Sequence, residues 1–297
     1  MPGAAQRYVA KLAEVAPDAA ILDLEDGIAG SDVAAARGRV AAVLAAADSG
    51  TPLPPVVAVR SHPVSSAAFA ADVAALGPRL GVLMLPKVAS AAEVGTAVAA
   101  LEGARLGHVR IVAMIESAAG LENLAAILGA HPSVVGVAFG AEDFAADIGL
   151  PPASAGQAGP SAAAGGAGTG VAESGRLAVL DAVRTRLVTA AAAAGVPWRI
   201  DTPVLQLRPV SLVESEARRS RSMGFGGKFV IHPSHVASVH AGYLPSEAEV
   251  AWARAVLGGG TDEHGGRGAS SSGGQMIDEA VARQARAVLE SAEAGPR

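Results

Sequence analysis

Apolar residues in this chain gather into short unbroken runs, and most of these runs stop at a charged side chain. Seven lie at Ala19 to Glu25, Val56 to Arg60, Gly81 to Lys87, Arg110 to Glu116, Val134 to Phe139, Trp198 to Thr202 and Lys228 to His232. Runs of this kind predict strands buried on both faces, as in a parallel sheet. Between them lie alanine-rich segments with helical spacing: Ser31 to Ala47, Ala67 to Leu76, Ala91 to Leu101 and Gly120 to Leu128. Strand alternating with helix builds right-handed βαβ units. The strand ends recur at a spacing of about 30 residues, which suits an α/β TIM (β/α)8 barrel better than an open sheet.

That barrel needs eight strands, and the pattern supplies seven. Upstream of Ala19 there is one helix-like segment, Ala4 to Val15. The barrel is therefore expected to lack its first strand. The natural chain is expected to begin upstream of Met1, and a version longer by about ten residues to be more stable, since a closed ring leaves no exposed edges. Residues 1–257 are read as the barrel domain, interrupted by Pro151 to Gly175. That interruption has too few large apolar residues to build a core and is expected to be a mobile loop. Residues 258–274 read as a flexible Gly/Ser linker, and 275–297 as a lid carrying a last helix, Ile277 to Ala294.

The polar chemistry sits where the runs stop. Glu116 closes IVAMIES and Asp143 closes VVGVAFGAED. Either alone is more often a helix cap or half of a salt bridge. Two carboxylates at matching ends of neighbouring strands can share one hard cation, Mg2+ or Mn2+. Glu142 should point elsewhere by strand alternation. Arg60 can grip a carboxylate or an enolate oxygen with two N–H groups, or pair structurally with Asp23, Glu25 or Asp26. Asp23 and Glu25, two apart, face one side of their strand, and Asp26 begins the loop. Lys87 is read as an electrostatic lysine in preference to a Schiff-base nucleophile. His232, with His235 and His240, lacks the spacing of a zinc helix and reads as a packed, hydrogen-bonded histidine. GFGGK is not a phosphate loop, GGAGTG follows no strand, and no GxSxG elbow is present.

Composition narrows the class. The absence of cysteine excludes thiolate metal sites, cysteine nucleophiles and disulfides, and with no apolar leader fits a cytoplasmic protein. A formal charge of -5 and 3% aromatic residues argue against nucleic-acid binding, and no run is long enough to span a bilayer.

Taken in order, ILDLEDG, VAVR, LPKV, IVAMIESAAGL, FGAEDFAADIG, GFGGKFVIHPSHV and GGQMIDEAV resemble the citrate lyase beta-subunit-like proteins, CoA-ester lyases of the metal-dependent aldolase superfamily. The resemblance implies a TIM barrel with a C-terminal lid, assembled as a homotrimer or hexamer. It implies cleavage, or formation in reverse, of a carbon–carbon bond in a citryl, malyl or citramalyl-CoA type thioester. On this chain it places the Mg2+ carboxylates at Glu116 and Asp143 and the substrate-holding arginine at Arg60. The acidic loop falls at Glu25 and Asp26, and the CoA-facing basic residues at Arg7 and Lys11. Asp278 becomes the lid aspartate, offered to a neighbouring subunit and the candidate base. Other activities remain open: a thioesterase on the same substrates, a CoA-independent 2-keto acid aldolase, or a degenerate barrel serving as a binding subunit.

Overall fold

Six of the seven runs form strands over most of their length; the seventh strand is only Gly227–Lys228, so Phe229 to His232 of the last run lie beyond it, and the strands pair in chain order. β1 (Ala19–Asp23), β2 (Val56–Arg60), β3 (Val82–Leu85), β4 (Arg110–Ile115), β5 (Val134–Phe139), β6 (Trp198–Asp201) and β7 (Gly227–Lys228) make one sheet, every neighbouring pair parallel. The structure, a computed structural model, describes residues 1–2, 9–46, 53–152, 167–258, 270–272 and 275–295.

Side chains alternate across this sheet into two separate cores. Ala58, Val82, Met84, Val112, Met114 and Ala138 pack together with Ile21, Ile200 and Phe229. Their neighbours Leu22, Val59, Leu83, Ile111, Val137 and Phe139 join Val40, Val73, Val94, Ile127 and Leu187 of the surrounding helices. A sheet that buries one face under helices and the other on itself is curled in the TIM-barrel manner. The inner face is tight at β5. A Cβ on Gly136 would lie 2.8 Å from Val112 Cγ2 and 3.1 Å from Trp198 Cβ.

The curl brings the two ends of the sheet round towards each other. Asp18, just before β1, meets His240 at 3.0 Å, in the helix Val236–Tyr243 that follows β7. Along the edge of β1 away from β2, Pro2 forms a parallel bridge with Asp23. The Met1 carbonyl accepts from Asp23 N at 3.1 Å, and the Met1 amine donates to the Ile21 carbonyl at 2.8 Å. Met1 and Pro2 thus lie beside β1 as a further strand would.

Three expectations are corrected. The helix Ala167–Ala193 begins inside the stretch read as a mobile loop. Alanine favours helix strongly, and Leu180, Val183, Leu187 and Ala191 anchor it to the outer core. Residues 153–166 of that stretch lie outside the described residues. Ser270–Ser272 and Gln275–Ile277 pair antiparallel, so part of the segment read as linker and lid is a hairpin. Gly120 to Leu128 is two short helices, Ala118–Glu122 and Leu124–Leu128, meeting at Asn123, whose amide donates to the Ala89 carbonyl at 2.8 Å. Among the described residues, no helix is long and apolar enough to cross a membrane.

Where β6 and β7 meet the outer helices, Asp201 is 1% exposed between Arg184 Nε at 2.8 Å and Lys228 Nζ at 3.0 Å. Burial alone would raise its pKa, but the two cations outweigh that and hold the carboxyl below its ordinary value. Its contribution to stability is therefore full above the unfolded value near 3.8 and is lost as pH falls below it. Asp201→Ala strips Lys228 of its carboxylate in a closed space and leaves Arg184 with Asp181 alone, at 3.1 Å. We expect urea unfolding to show a loss of about 3–5 kcal/mol, the usual cost of stranding a buried charge. A loss under about 1 kcal/mol would mean that water reaches the cluster.

Candidate active site

Seven parallel strands deliver their C-terminal ends to one rim, and the inward positions there carry charge. Arg60 is the last residue of β2 and Asp23 the last of β1, and the two are register partners. The guanidinium donates from Nε and one terminal nitrogen to the two oxygens of Asp23, both at 2.7 Å. Its other terminal nitrogen lies 2.8 Å from Glu25 Oε2 and 3.9 Å from Asp26. That Glu25 oxygen is ion-paired but accepts no hydrogen bond. Asp23 Oδ1 also accepts from Glu25 N at 3.1 Å, which ties the acidic loop to the strand end. Burial works against the Asp23 charge, yet Arg60 holds its carboxyl below the usual range.

Lys87 closes the gap between β3 and β4. Its φ of 54° is left-handed, a conformation that costs a non-glycine residue about 1–3 kcal/mol. That turn lets one residue serve two carboxylates. The Lys87 backbone N–H donates to Glu116 Oε2 at 2.7 Å, while Nζ lies 2.7 Å from Glu25 Oε1 and 3.5 Å from Asp26. These acidic neighbours outweigh the burial that would lower its pKa, and the ammonium is held well above its ordinary value. A lysine so stabilised as a cation is poorly suited to Schiff-base chemistry, in line with its expected electrostatic role.

Glu116, 4% exposed just beyond β4, is pushed up to about 7. Burial is the main cause; the Lys87 N–H and Arg60 pull the other way, and Glu25 and Asp143 push further up. Gly140, across on the β5 side, makes room for this carboxylate, because a Cβ there would sit 2.3 Å from Glu116 Oε1. Asp143 is exposed in the first turn of Ala141–Asp147, close enough to bear on both Glu116 and Lys87. Glu142 does point elsewhere, to Arg176 at 2.9 Å, but helical rotation and not strand alternation sends it there, because β5 ends at Phe139 and both acidic residues lie in this helix. No group of three or more His, Asp or Glu side chains is arranged to hold a metal among the described residues. Two carboxylates on a hard cation leave its other positions for water and substrate oxygens, which is the usual habit of Mg2+. The donor set fits that ion: oxygen-only, repelling each other, with glycine space beside the buried member.

The remaining candidates scatter. Lys11 is exposed, on the path from Pro2 at the rim down to the start of β1, and Arg7 lies outside the described residues. Asp278 caps the last helix, Glu279–Ala294, by accepting from Val281 N at 2.9 Å, and that helix packs on Glu247–Gly258 through Ala253, Val256 and Ala285. Of the three histidines singled out, His232 and His235 meet edge-on at 6.2 Å between ring centroids, and His240 stands apart. His232 is exposed and accepts from Ser234 N at 3.2 Å, His240 pairs with Asp18, and His235 is fully buried. Sequence reasoning passed over His62, two residues beyond Arg60. Its Nδ1 lies 2.7 Å from Asp72 of the helix Phe69–Ala75, a partner no local spacing rule would supply.

Comparison with known proteins places the chain in a family. The family model described as HpcH/HpaI aldolase/citrate lyase matches residues 1–233. A citrate lyase subunit beta-like protein of Deinococcus radiodurans is 34% identical over 290 residues, covering 97% of this chain and 94% of the relative. An L-malyl-CoA/beta-methylmalyl-CoA lyase of Cereibacter sphaeroides is 30% identical, covering 98% and 92%. The crystal structure of CitE from Mycobacterium tuberculosis, in complex with magnesium, acetoacetate and coenzyme A, superposes with a TM-score of 0.75 at 32% identity, covering 99% of this chain and 96% of that one. With a barrel of this topology, charge at its C-terminal rim and relatives matched along nearly their whole lengths, the chain belongs to the HpcH/HpaI aldolase/citrate lyase family.

Proposed function

We propose that this protein is a Mg2+-dependent carbon–carbon lyase that cleaves, or forms in reverse, a 3-hydroxyacyl-CoA thioester of the citryl, malyl or citramalyl type. The observation that carries this reading is Glu116: buried, pushed up to about 7, and crowded by Asp143 and Glu25 at the barrel rim. A divalent cation between Glu116 and Asp143 would relieve that crowding. The magnesium and coenzyme A held by the CitE structure and the names of the lyase relatives support the same class.

Bound there, Mg2+, or Mn2+ with the same preference for oxygen, supplies Lewis-acid polarisation of the substrate's hydroxyl and carboxylate oxygens. Retro-aldol cleavage leaves enolate charge on the departing acetyl thioester. Arg60 is placed to offset it. Its orientation is set by Asp23, and the N–H groups not spent on Asp23 and Glu25 are free to meet the thioester oxygen. Glu25 and Asp26 balance Arg60 and Lys87 beside the substrate. Lys11 and Arg7 are the basic residues assigned to the anionic end of CoA. Asp278, on the last helix, serves a neighbouring subunit's site in a homotrimer or hexamer and handles the proton on the acetyl carbon.

Proton and cation compete for Glu116. A carboxyl raised above its ordinary 4.5 makes the cation-free fold less stable as pH rises from about 4.5 to about 7, because the folded state holds the extra proton. Mg2+ should therefore raise the Tm more at about pH 8 than at about pH 5.5. Glu116→Gln should stay folded and lose both the Mg2+ shift and turnover. A Mg2+ shift of the same size in the variant would place the cation elsewhere.

Arg60→Lys keeps charge but not the planar fork, so kcat/KM should fall about a hundredfold, the scale of losing an oriented donor. Kinetics within twofold of wild type would make Arg60 structural. Product analysis distinguishes the activity: keto acid plus acetyl-CoA for the lyase, free hydroxy acid plus CoA for a thioesterase.

The role of Asp278 is tested by mixing. Asp278→Ala and Glu116→Ala chains, each inactive, should recover activity when co-expressed, because one subunit's lid can serve another's intact metal site. A mixed oligomer, verified by mass, that stays inactive would confine Asp278 to its own chain or to capping its helix.

A further inference from the structure

Retro-aldol cleavage moves two protons, one off the substrate hydroxyl and one onto the acetyl carbon. These lie on opposite sides of the breaking bond, so one side chain does not readily serve both. Asp278 covers the second in the reading above. For the first, the rim carboxylates are poorly placed. Both oxygens of Asp23 are held by Arg60, and those of Glu25 face Arg60 and Lys87. Glu116 and Asp143 are assigned to the cation, and Asp26 faces Lys87 at 3.5 Å and Arg60 at 3.9 Å.

His62 is differently equipped. It follows Arg60 by two residues, at the end of β2 that faces the rim. Ser61 N still reaches across to the Met84 carbonyl at 3.2 Å, so the chain keeps its place beside β3 as it leaves the strand. Asp72, 0% exposed, then fixes the next residue twice: Oδ2 accepts from His62 N and meets His62 Nδ1, both at 2.7 Å. Asp72 Oδ1 is taken by Arg37 Nε at 2.8 Å, from the helix Val33–Ala46. Arg37 is steadied in turn by the Ala68 carbonyl at 3.1 Å.

This chain of contacts determines the tautomer. A carboxylate paired with arginine offers only acceptors, so the Nδ1 facing it carries the hydrogen. In the neutral ring the lone pair is then on Nε2, which makes no hydrogen bond among the described residues. The side chain is 18% exposed, so the ring is neither sealed in the core nor free in solvent. When Nε2 takes a proton, Asp72 faces the resulting imidazolium from the opposite side of the ring. Charged groups around the ring are Asp72 and Arg37 from the two outer helices and Arg60 on its own strand. A carboxylate-oriented imidazole with an open Nε2 is the arrangement of a general base.

We propose that His62 Nε2 accepts the hydroxyl proton of the 3-hydroxyacyl thioester in cleavage and returns it in condensation. This inference rests on the lyase reading. The O–H bond breaks with its proton passing to Nε2, and its electron pair becomes the new C=O bond. The carbon–carbon pair moves into the thioester enolate, which takes a proton at carbon to become the acetyl thioester. His62 then passes its proton to solvent, and no oxidant or further reactant is needed.

His62→Asn tests the role without removing the structural contact. The asparagine amide can donate to Asp72 as Nδ1 does, and nothing occupies the Nε2 position. With Mg2+ and whichever of malyl, citramalyl or citryl-CoA the wild type cleaves, kcat should fall about a hundredfold or more, the scale of general base catalysis. KM should stay within about threefold and the Tm within a few degrees, as expected when the Asp72 contact survives. The acidic limb of the pH–rate profile should flatten, and added imidazole should restore part of the rate. In the wild type, 15N NMR of the neutral ring should give the Nδ1–H tautomer. Turnover within twofold of wild type with an unchanged pH profile would overturn the proposal, as would the Nε2–H tautomer. A wild-type chain that cleaves none of the three thioesters would overturn the lyase reading and this inference together.

Discussion

A curled parallel sheet must bring its strand ends together, and here that constraint puts like charges side by side. Asp23, Glu25, Asp26, Glu116 and Asp143 meet at one rim with Arg60 and Lys87 as their cations. Fixed donors cannot disperse that charge as water would. The chain manages it in layers. Asp23 and Arg60 neutralise each other through a bidentate pair, Glu25 bridges the two cations, and Glu116 holds a proton until pH nears 7. What is left at the Glu116–Asp143 side is a deficit of positive charge, the electrostatic form of a cation site.

Backbone geometry does as much here as side-chain chemistry. The left-handed Lys87 is tolerated because its N–H goes to Glu116 and its ammonium to Glu25. Glycine at 140 is required because any Cβ would occupy the space of the Glu116 carboxylate. Neither residue needs to meet a substrate to matter. Each decides where a charged group can stand, which is how strain and missing side chains come to cluster at reactive rims.

On the outer side of the sheet, the structure holds its other large charge cluster. Arg184, Asp201 and Lys228 lie between the sheet and the long outer helix, and Arg184 stacks 5.6 Å from the Phe139 ring centroid. The last two strands are short, and this cluster joins their register partners Asp201 and Lys228. It gives the weaker end of the sheet a link that hydrogen bonds between so few residues would not supply.

By itself the sequence determined the strands, their parallel order and the positions of charge at their ends, because a buried parallel strand is a contiguous signal that tolerates little else. Glu116, Arg60 and the Asp23–Glu25–Asp26 loop were legible for that reason, whereas Asp143, read as closing its run, stands beyond Phe139 in the first turn of a helix. The helical start at Ala167 was not, since alanine and glycine in a low-complexity stretch carry no periodicity and only packing of Leu180 and Leu187 anchors the helix. The hairpin at Ser270–Ile277 was hidden in the same way. Only the tertiary structure paired Lys87 with two carboxylates, gave Asp278 a cap to make, and joined His62 to Asp72 and Arg37. Each of those depends on distances between separate segments of chain, and periodicity along a strand or helix holds no information about which neighbour a side chain will meet.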